Sequence, residues 1–173
     1  MKILPNIEIV DLALYFDSTL VIADVHIGYE EALNKQGILV PRLQFEEMNK
    51  KINKIFAQLR NKKIERVIVN GDLKHEFGTI SEQEWRNTLK FLDLLSKHCI
   101  EVILVKGNHD TILGPIAKKR NVKIVDNIAV GKILIAHGNK VTDIKNSDTI
   151  IIGHEHPAVS IKEGPRVEQF KCF

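Results

Sequence analysis

Side chains that commonly bind metal ions recur in five short clusters along this chain. Six of the seven histidines lie in these clusters, and three of the five clusters also contain an aspartate or an asparagine. The clusters are Asp24-Val25-His26, Gly71-Asp72-Leu73-Lys74-His75, Gly107-Asn108-His109-Asp110, His137-Gly138 and Gly153-His154-Glu155-His156. Carboxylate, imidazole and amide ligands suit Mn²⁺, Fe or Zn²⁺. The pattern therefore predicts a metal site.

Each cluster follows directly on a run of aliphatic residues, which is typical of a buried strand. The runs are 20–23, 67–69, 102–105, 133–136 and 150–152. In open α/β sheets, chemistry collects beyond the carboxyl ends of the strands. A single histidine in such a place is usually an ordinary loop residue. Five clusters together indicate one converging site, because carboxylates and imidazoles are costly to bury without a cation.

The number of candidate ligands exceeds what one tetrahedral ion can bind, and it fits two ions that share a bridging carboxylate. Two ions about 3.5–4 Å apart clamp a phosphoryl group and supply a bridging hydroxide as nucleophile. A histidine outside the ligand set can then protonate the leaving group. His109 is the candidate for this role, with Asp110 expected to fix its tautomer. Neither a nucleophilic serine elbow nor a glycine-rich phosphate loop occurs in the sequence.

Composition indicates a soluble globular chain, predicted to form a single domain over residues 1–173. Hydrophobic residues make up 44% and charged residues 27% of the sequence, and the net charge of +3 does not by itself indicate nucleic-acid binding. The two cysteines form no disulfide framework, and there is neither a signal peptide nor a membrane-length apolar run. We therefore expect a cytoplasmic protein without a membrane partner. Basic residues gather at 60–66 and 118–123, as either a solvated face or a phosphate-steering surface.

The predicted elements alternate between strands and helices in the first half and are mostly strands after residue 122. A hairpin is expected over 12–16 and 19–23, and helices over 29–36 and 45–59, from Ser81 and from Gly114. Ser81-Glu82-Gln83-Glu84 has the pattern of a capping box. The order of elements predicts an α/β fold in which two packed sheets form a β sandwich flanked by helices.

The motif order D-x-H, G-D-x-x-H, G-N-H-D, H-G and G-H-x-H resembles the calcineurin-like metallophosphoesterase family, which has a two-sheet β sandwich flanked by helices. The resemblance implies that Asp24, His26 and His156 bind a first metal ion, with Asp72 bridging. It implies that Asn108, His137 and His154 complete the second site. His109 would be the general acid, Asp110 its orienting partner and His75 a substrate-binding residue, with Asn108 counted in the same catalytic set. The ions would be Mn²⁺ first, with Fe, Zn²⁺, Ni or Co as alternatives.

Three further stretches resemble a small subgroup of that family associated with DNA ligases and Lhr-type helicases. These are residues 23–32, 153–159 and 170–173. The resemblance implies a phosphodiesterase or nuclease whose substrate is a phosphate ester, with single-stranded nucleic acid as a candidate. Subgroup chains continue for another strand or two, so we expect an edge of the second sheet to be missing, or completed by a partner protein or a second copy. A small-molecule phosphatase, a cyclic phosphodiesterase and a non-catalytic scaffold remain alternatives, although the intact ligand set argues against the scaffold.

Overall fold

A seven-stranded mixed sheet forms the centre of the computed structural model, which describes residues 1–140, 143–144 and 146–173. Its strands stand in chain order: β1 (Lys2–Leu4), β2 (Ile7–Val10), β3 (Ala13–Phe16), β4 (Thr19–Ala23), β5 (Arg66–Asn70), β6 (Glu101–Val105) and β7 (Lys123–Val125). The first four strands pair antiparallel, and β4 to β7 run parallel. Ala23 stands beside Asn70, and Asn70 beside Val105. Three strands therefore end side by side at one edge of the sheet.

Helices cover one face of this sheet. Their bounds are α1 (Tyr29–Lys35), α2 (Gln44–Gln58), α3 (Glu82–Ser96) and α4 (Gly114–Arg120). The apolar stripes of α2, α3 and α4 pack with alternate residues of the parallel strands, such as Leu20 and Ile22. Alternate side chains of a strand point to opposite faces, so Val21 lies on the other side. Helices α1 and α2 begin and end within one residue of their predicted limits, and α3 and α4 begin within one residue of their predicted starts.

A second, three-stranded sheet covers the opposite face, and this confirms the predicted sandwich. It contains β8 (Asn127–Val130), β9 (Ile133–Ala136) and β10 (Thr149–Ile151), in the order β10-β9-β8. Val130, Ile133 and Ile135 pack on Val21 and Ile68 of the large sheet in a second apolar core. The layers are therefore helices, large sheet and small sheet, with the core helices on one side only.

The last two strands form a separate hairpin rather than an extension of the second sheet. They are β11 (Ala158–Glu163) and β12 (Arg166–Lys171), paired antiparallel, and all twelve residues are exposed. Among the described residues, these strands pair only with each other. Within the same residues, no helix is long and apolar enough to cross a membrane.

Candidate metal centre

The loops that follow β4, β5 and β6 meet at the carboxyl edge of the large sheet. Backbone hydrogen bonds join them: the N–H of Asp24 donates to Gly71 O (3.2 Å), and the N–H of His26 donates to Asp72 O (2.9 Å). Five of the seven predicted ligands have a left-handed backbone, with φ between 46° and 70°: Asp24, His26, Asp72, His154 and His156. Non-glycine residues in this region cost about 1–3 kcal/mol each and collect at functional sites. The backbone of these loops is therefore strained where the candidate ligands lie.

A first group contains one donor atom from each of Asp24, His26, Asp72 and His156. These four donor atoms all lie within 4.8 Å of one another. His26 Nε2 is 3.2 Å from His156 Nε2, and His156 Nε2 is 3.5 Å from Asp24 Oδ1. Asp72 Oδ2 lies 3.9 Å from His26 Nε2. Two imidazoles and two carboxylates therefore point at one small volume.

A second group comes from Asp72, His137 and His154. His137 Nε2 lies 3.3 Å from Asp72 Oδ2 and 3.0 Å from Asn108 Oδ1, which adds an amide oxygen to this group. Asp72 is thus common to both groups. The structure brings together all seven residues that the sequence predicted as ligands.

Asn70, which the sequence analysis did not single out, fixes the orientation of the His137 ring. The backbone oxygen of Asn70 lies 3.2 Å from His137 Nδ1, and because a carbonyl can only accept, Nδ1 carries the proton. The other ring nitrogen, Nε2, is then the one that can act as a ligand once it carries no proton, as is usual for metal-binding histidines. The Asn70 side chain is buried and donates to Ala136 O (3.0 Å), which ties β5 to β9. An asparagine ending a buried aliphatic strand was the available signal.

Two glycines leave room for the donor groups. A Cβ on Gly71, whose φ is +80°, would lie 2.0 Å from His137 Nδ1, and a Cβ on Gly107 would lie 2.1 Å from Asp72 Oδ1. Both distances are far below van der Waals contact. Glycine is therefore required at these positions because side-chain donors occupy the space.

The pKa shifts of Asp72 and His26 favour the forms that bind a metal, whereas for His137 the hydrogen bond to Asp72 outweighs burial and raises the pKa. Burial raises the pKa of Asp72, but hydrogen bonds from His137 and from the N–H of His109 outweigh it and bring this pKa to about 2. Burial lowers the pKa of His26, and neighbouring imidazoles add to this against the pull of Asp72, so that the pKa is about 4. Ligands bind metals as carboxylates and neutral imidazoles. The donor set therefore fits divalent cations with mixed nitrogen and oxygen ligands.

His109 lies beside the two groups without completing either of them. Its backbone N–H donates to Asp72 Oδ1 (3.0 Å), and its ring Nδ1 donates to the backbone oxygen of His75. Its Nε2 is 3.9 Å from Asp72 Oδ2. The ring is thus held by one nitrogen, with the other directed toward the shared carboxylate.

The predicted contact between Asp110 and the His109 ring is wrong. Asp110 is buried, and its carboxylate accepts hydrogen bonds from the backbone N–H groups of Leu73 (3.1 Å), Lys74 (3.5 Å) and Gly107 (3.0 Å). Burial raises the pKa of Asp110 despite these bonds. Asp110 therefore joins the loops after β5 and β6, and the His75 carbonyl takes the role that we expected of Asp110.

Comparison with protein families identifies this arrangement. The calcineurin-like phosphoesterase (Metallophos) family profile matches residues 18–158. The chain belongs to the calcineurin-like phosphoesterase family. It is therefore a phosphoester hydrolase, and membership implies divalent metal ions, which the His and Asp groups described above could hold.

Solved structures with this fold include a nuclease. The crystal structure of Pseudomonas putida nuclease MPE matches with a TM-score of 0.61 and 22% identity, over 87% of this chain and 68% of that one. A protein of unknown function, AQ665 from Aquifex aeolicus, matches with a TM-score of 0.46 and 22% identity, over 80% of this phosphoesterase and 78% of that chain. Comparison with curated proteins gives no match.

The two remaining histidines, His75 and His98, occupy different parts of the phosphoesterase. His75 lies at the site, with its Nδ1 3.4 Å from His26 Nδ1, and it forms a third donor group with His26 and His109. Burial lowers the pKa of His75. His98 stacks on Phe56 with ring centroids 4.1 Å apart, away from the ligand loops.

The basic stretches do not lie at the approach to the site. Ser18, in the turn before β4, accepts hydrogen bonds from the N–H groups of Glu65 and Arg66. This turn is at the opposite end of β4 from Asp24, about 16 Å away for five residues of strand. Lys62 and Lys63 are paired with Glu8 and Glu65.

The second basic stretch also lies away from the approach to the site. Residues 118–120 end α4, and the chain then leads to the start of β7. Arg120 is paired with Asp93 at 2.5 Å and 2.9 Å. This end of α4 leads away from the loop that holds Asn108 and His109. Neither stretch therefore has the position that a phosphate-steering surface requires.

Proposed function

We propose that the protein is a dinuclear phosphodiesterase that cleaves nucleic acid strands. The position of Asp72 carries the dinuclear part of this proposal, because its carboxylate belongs to both donor groups. In this assignment Asp24, His26 and His156 hold one cation, while Asn108, His137 and His154 hold the other. Asp72 bridges them.

The bound cations supply an activated water and a positively charged clamp for the phosphate oxygens. The chain supplies the geometry. The strained loops and the Asn70–His137 hydrogen bond fix the donors before substrate arrives, so that little rearrangement is needed during the reaction. Manganese is the proposed ion, because carboxylate and amide oxygens suit it and the donor set contains no thiolate.

His109 is the proposed general acid. Its Nδ1–H is held by the His75 carbonyl, so the ring can carry a second proton on Nε2, on the side that faces the shared carboxylate. That proton passes to the leaving alkoxide as the phosphorus–oxygen bond breaks. Asp72 also accepts the His109 backbone N–H, which couples the position of the acid to that of the bridge.

Two exposed aromatic rings beside the site favour a nucleic acid as substrate. Tyr29 is 45% exposed and lies edge-on to the His75 ring at 4.9 Å, while Phe77 is 60% exposed with its ring 3.7 Å from that of His109. Exposed rings next to a phosphate-cleaving site can stack on bases, which contributes about 1–3 kcal/mol per base. The nuclease with a similar fold supports the same substrate class.

The proposal is tested by adding single divalent metals to chelator-treated protein and measuring hydrolysis of three substrates. Bis-p-nitrophenyl phosphate, p-nitrophenyl phosphate and single-stranded DNA separate diesterase, monoesterase and nuclease activity. We expect diester and DNA cleavage with Mn²⁺, and loss of both in Asp72→Asn. Exclusive cleavage of the monoester would favour the small-molecule phosphatase instead.

A matched set of variants tests the aromatic contribution. Tyr29→Ala and Phe77→Ala should each raise KM for DNA by roughly tenfold and leave KM for bis-p-nitrophenyl phosphate unchanged. Ile100→Ala is the control, because Ile100 is 81% exposed and lies just before β6 at the opposite edge of the sheet. Equal KM values for DNA in all three variants would contradict base stacking at this place.

A further inference from the structure

Glu84 is a buried carboxylate in the first turn of α3 that does not complete the capping box predicted from the sequence. Ser81 caps the helix by accepting the N–H of Glu84 (3.1 Å), but the Glu84 side chain turns away from the helix end. Its Oε1 accepts the backbone N–H groups of His75 (2.8 Å) and Glu76 (3.1 Å). Its Oε2 is buried and has no hydrogen-bond partner among the described residues. Glu84 therefore binds the loop after β5.

Glu84 binds the backbone of His75, and the backbone of His75 in turn binds the His109 ring. The N–H of His75 is shared between Glu84 and the backbone oxygen of Ile27 (2.9 Å). The carbonyl of the same His75 accepts Nδ1–H of His109. A chain of hydrogen bonds thus runs from the α3 carboxylate through one loop residue to the imidazole.

The surroundings of Glu84 leave it little freedom. Gly28 has φ +98°, and a Cβ there would lie 3.0–3.1 Å from the Glu84 side chain. The fully buried Lys74 also holds this loop, because its ammonium group donates to the backbone oxygens of Glu76 and Thr79. Two buried side chains therefore hold this loop, and Glu84 is the one that binds the backbone of His75.

We propose that Glu84 is a positioning residue for the general acid. By holding the His75 backbone, it keeps that carbonyl where it fixes the tautomer and direction of the His109 ring. This inference rests on the proposed function, in which His109 protonates the leaving group. Glu84 acts on His109 from outside the ligand set, so its loss should impair proton transfer and spare metal binding.

Glu84→Met removes the hydrogen-bond acceptor and keeps the volume of the side chain. Glu84→Gln keeps a carbonyl acceptor, and Glu84→Asp withdraws the carboxylate by one carbon–carbon bond. The control is Thr88→Ala, because the Thr88 hydroxyl is buried one turn further along α3 and donates to Glu84 O (2.7 Å). This control disturbs the same helix without touching the loop.

For DNA, whose leaving group is a poor alkoxide, we expect kcat to fall by roughly 10- to 100-fold in Glu84→Met, within the range of general-acid effects. The kcat of Glu84→Asp should also fall, while the kcat values of Glu84→Gln and Thr88→Ala should stay near that of the parent. Nitrophenolate leaves without a proton, so bis-p-nitrophenyl phosphate should show much smaller losses. In a His109→Ala background, Glu84→Met should cause no further loss. A further loss of kcat of the same size in the His109→Ala background would overturn the proposal. Equal losses of kcat on DNA and on bis-p-nitrophenyl phosphate would also overturn it.

A measurement on metal-free protein tests Glu84 independently of activity. The proton on His109 Nδ1 should give a protected NMR signal, because it is hydrogen-bonded to the His75 carbonyl. We expect this signal to persist in Thr88→Ala and Glu84→Gln and to be lost in Glu84→Met and Glu84→Asp. Its persistence in both of the latter variants would overturn the role of Glu84. An inactive parent protein that shows this pattern would instead refute only the proposed function.

Discussion

Substituting Gly71 by alanine should damage the metal centre far more than the same change at Gly37. Both glycines have a left-handed backbone, with φ +80° and +85°, so alanine carries a similar conformational cost of about 1–2 kcal/mol at each. At Gly37 nothing lies within 4 Å of the added Cβ, whereas at Gly71 it would lie 2.0 Å from His137 Nδ1. The pair therefore isolates the steric effect on His137.

The size of that effect follows from the distances around His137. Restoring ordinary contact requires the ring to move by about 1.5 Å, since non-bonded heavy atoms pack near 3.5 Å. Such a shift breaks the hydrogen bond to Asn70 O (3.2 Å) and separates Nε2 from Asn108 and Asp72. Overpacking a well-packed interior costs about 1–3 kcal/mol. A 1 Å displacement of a catalytic group can cost on the order of 10²-fold in rate.

Urea unfolding and hydrolysis of bis-p-nitrophenyl phosphate measure the two consequences. Gly37→Ala should lose about 1–2 kcal/mol of stability and keep parental turnover. Gly71→Ala should lose about 1–3 kcal/mol more and about 10²-fold in activity. If the two variants are equally stable and Gly71→Ala retains its activity, His137 does not occupy the position described here.

Three further outcomes are expected. His109→Ala should retain its metals but lose roughly 10²–10⁴-fold in kcat on DNA and much less on nitrophenyl esters; equal losses on both would contradict the general-acid role. In metal-free protein the pKa of His26 is lowered to about 4, so the unfolded state binds more protons between about pH 4 and 6.5 and stability falls as the pH drops through this window. Chemical unfolding at several pH values should show that His26→Asn removes up to about 3 kcal/mol of the change in unfolding free energy with pH. If the variant keeps the parental slope of unfolding free energy against pH, His26 does not make this contribution. Reversing the charges of Lys62 and Lys63 should leave KM for DNA unchanged at several salt concentrations, whereas a salt slope reduced by about 0.7 per lost phosphate contact would place them at the substrate.

The sequence was sufficient to predict the elements that position the site. Aliphatic runs, capping residues and helical spacing determine local structure, which is why the helix limits and the sandwich agree with the structure. The convergence of the ligand loops also followed from the sequence, because parallel strands such as β4 and β5 must end at the same edge.

Contacts that depend on side-chain direction were not predictable in the same way. Asp110 is next to His109 in sequence, but the loop after β5 offers it two backbone N–H groups that only the tertiary fold brings near. Glu84 fits a capping box in the sequence. In the folded chain its carboxylate instead binds the backbone N–H of His75, which only the tertiary fold brings near. The hairpin of β11 and β12 has strand-like patterning, yet nothing in that pattern determines whether it joins another sheet. The cytoplasmic location and the single-domain organisation stay predictions.

Locating and counting the metal ions is the most direct test of two metal sites that share Asp72. Protein purified without chelator should be crystallised with Mn²⁺, and the ions located by anomalous scattering, with metal content measured on the same sample. We predict two ions per chain, both in contact with the Asp72 carboxylate, with Asn108, His137 and His154 on one side and Asp24, His26 and His156 on the other. A single well-occupied ion with Asp72 directed away from it would contradict the account.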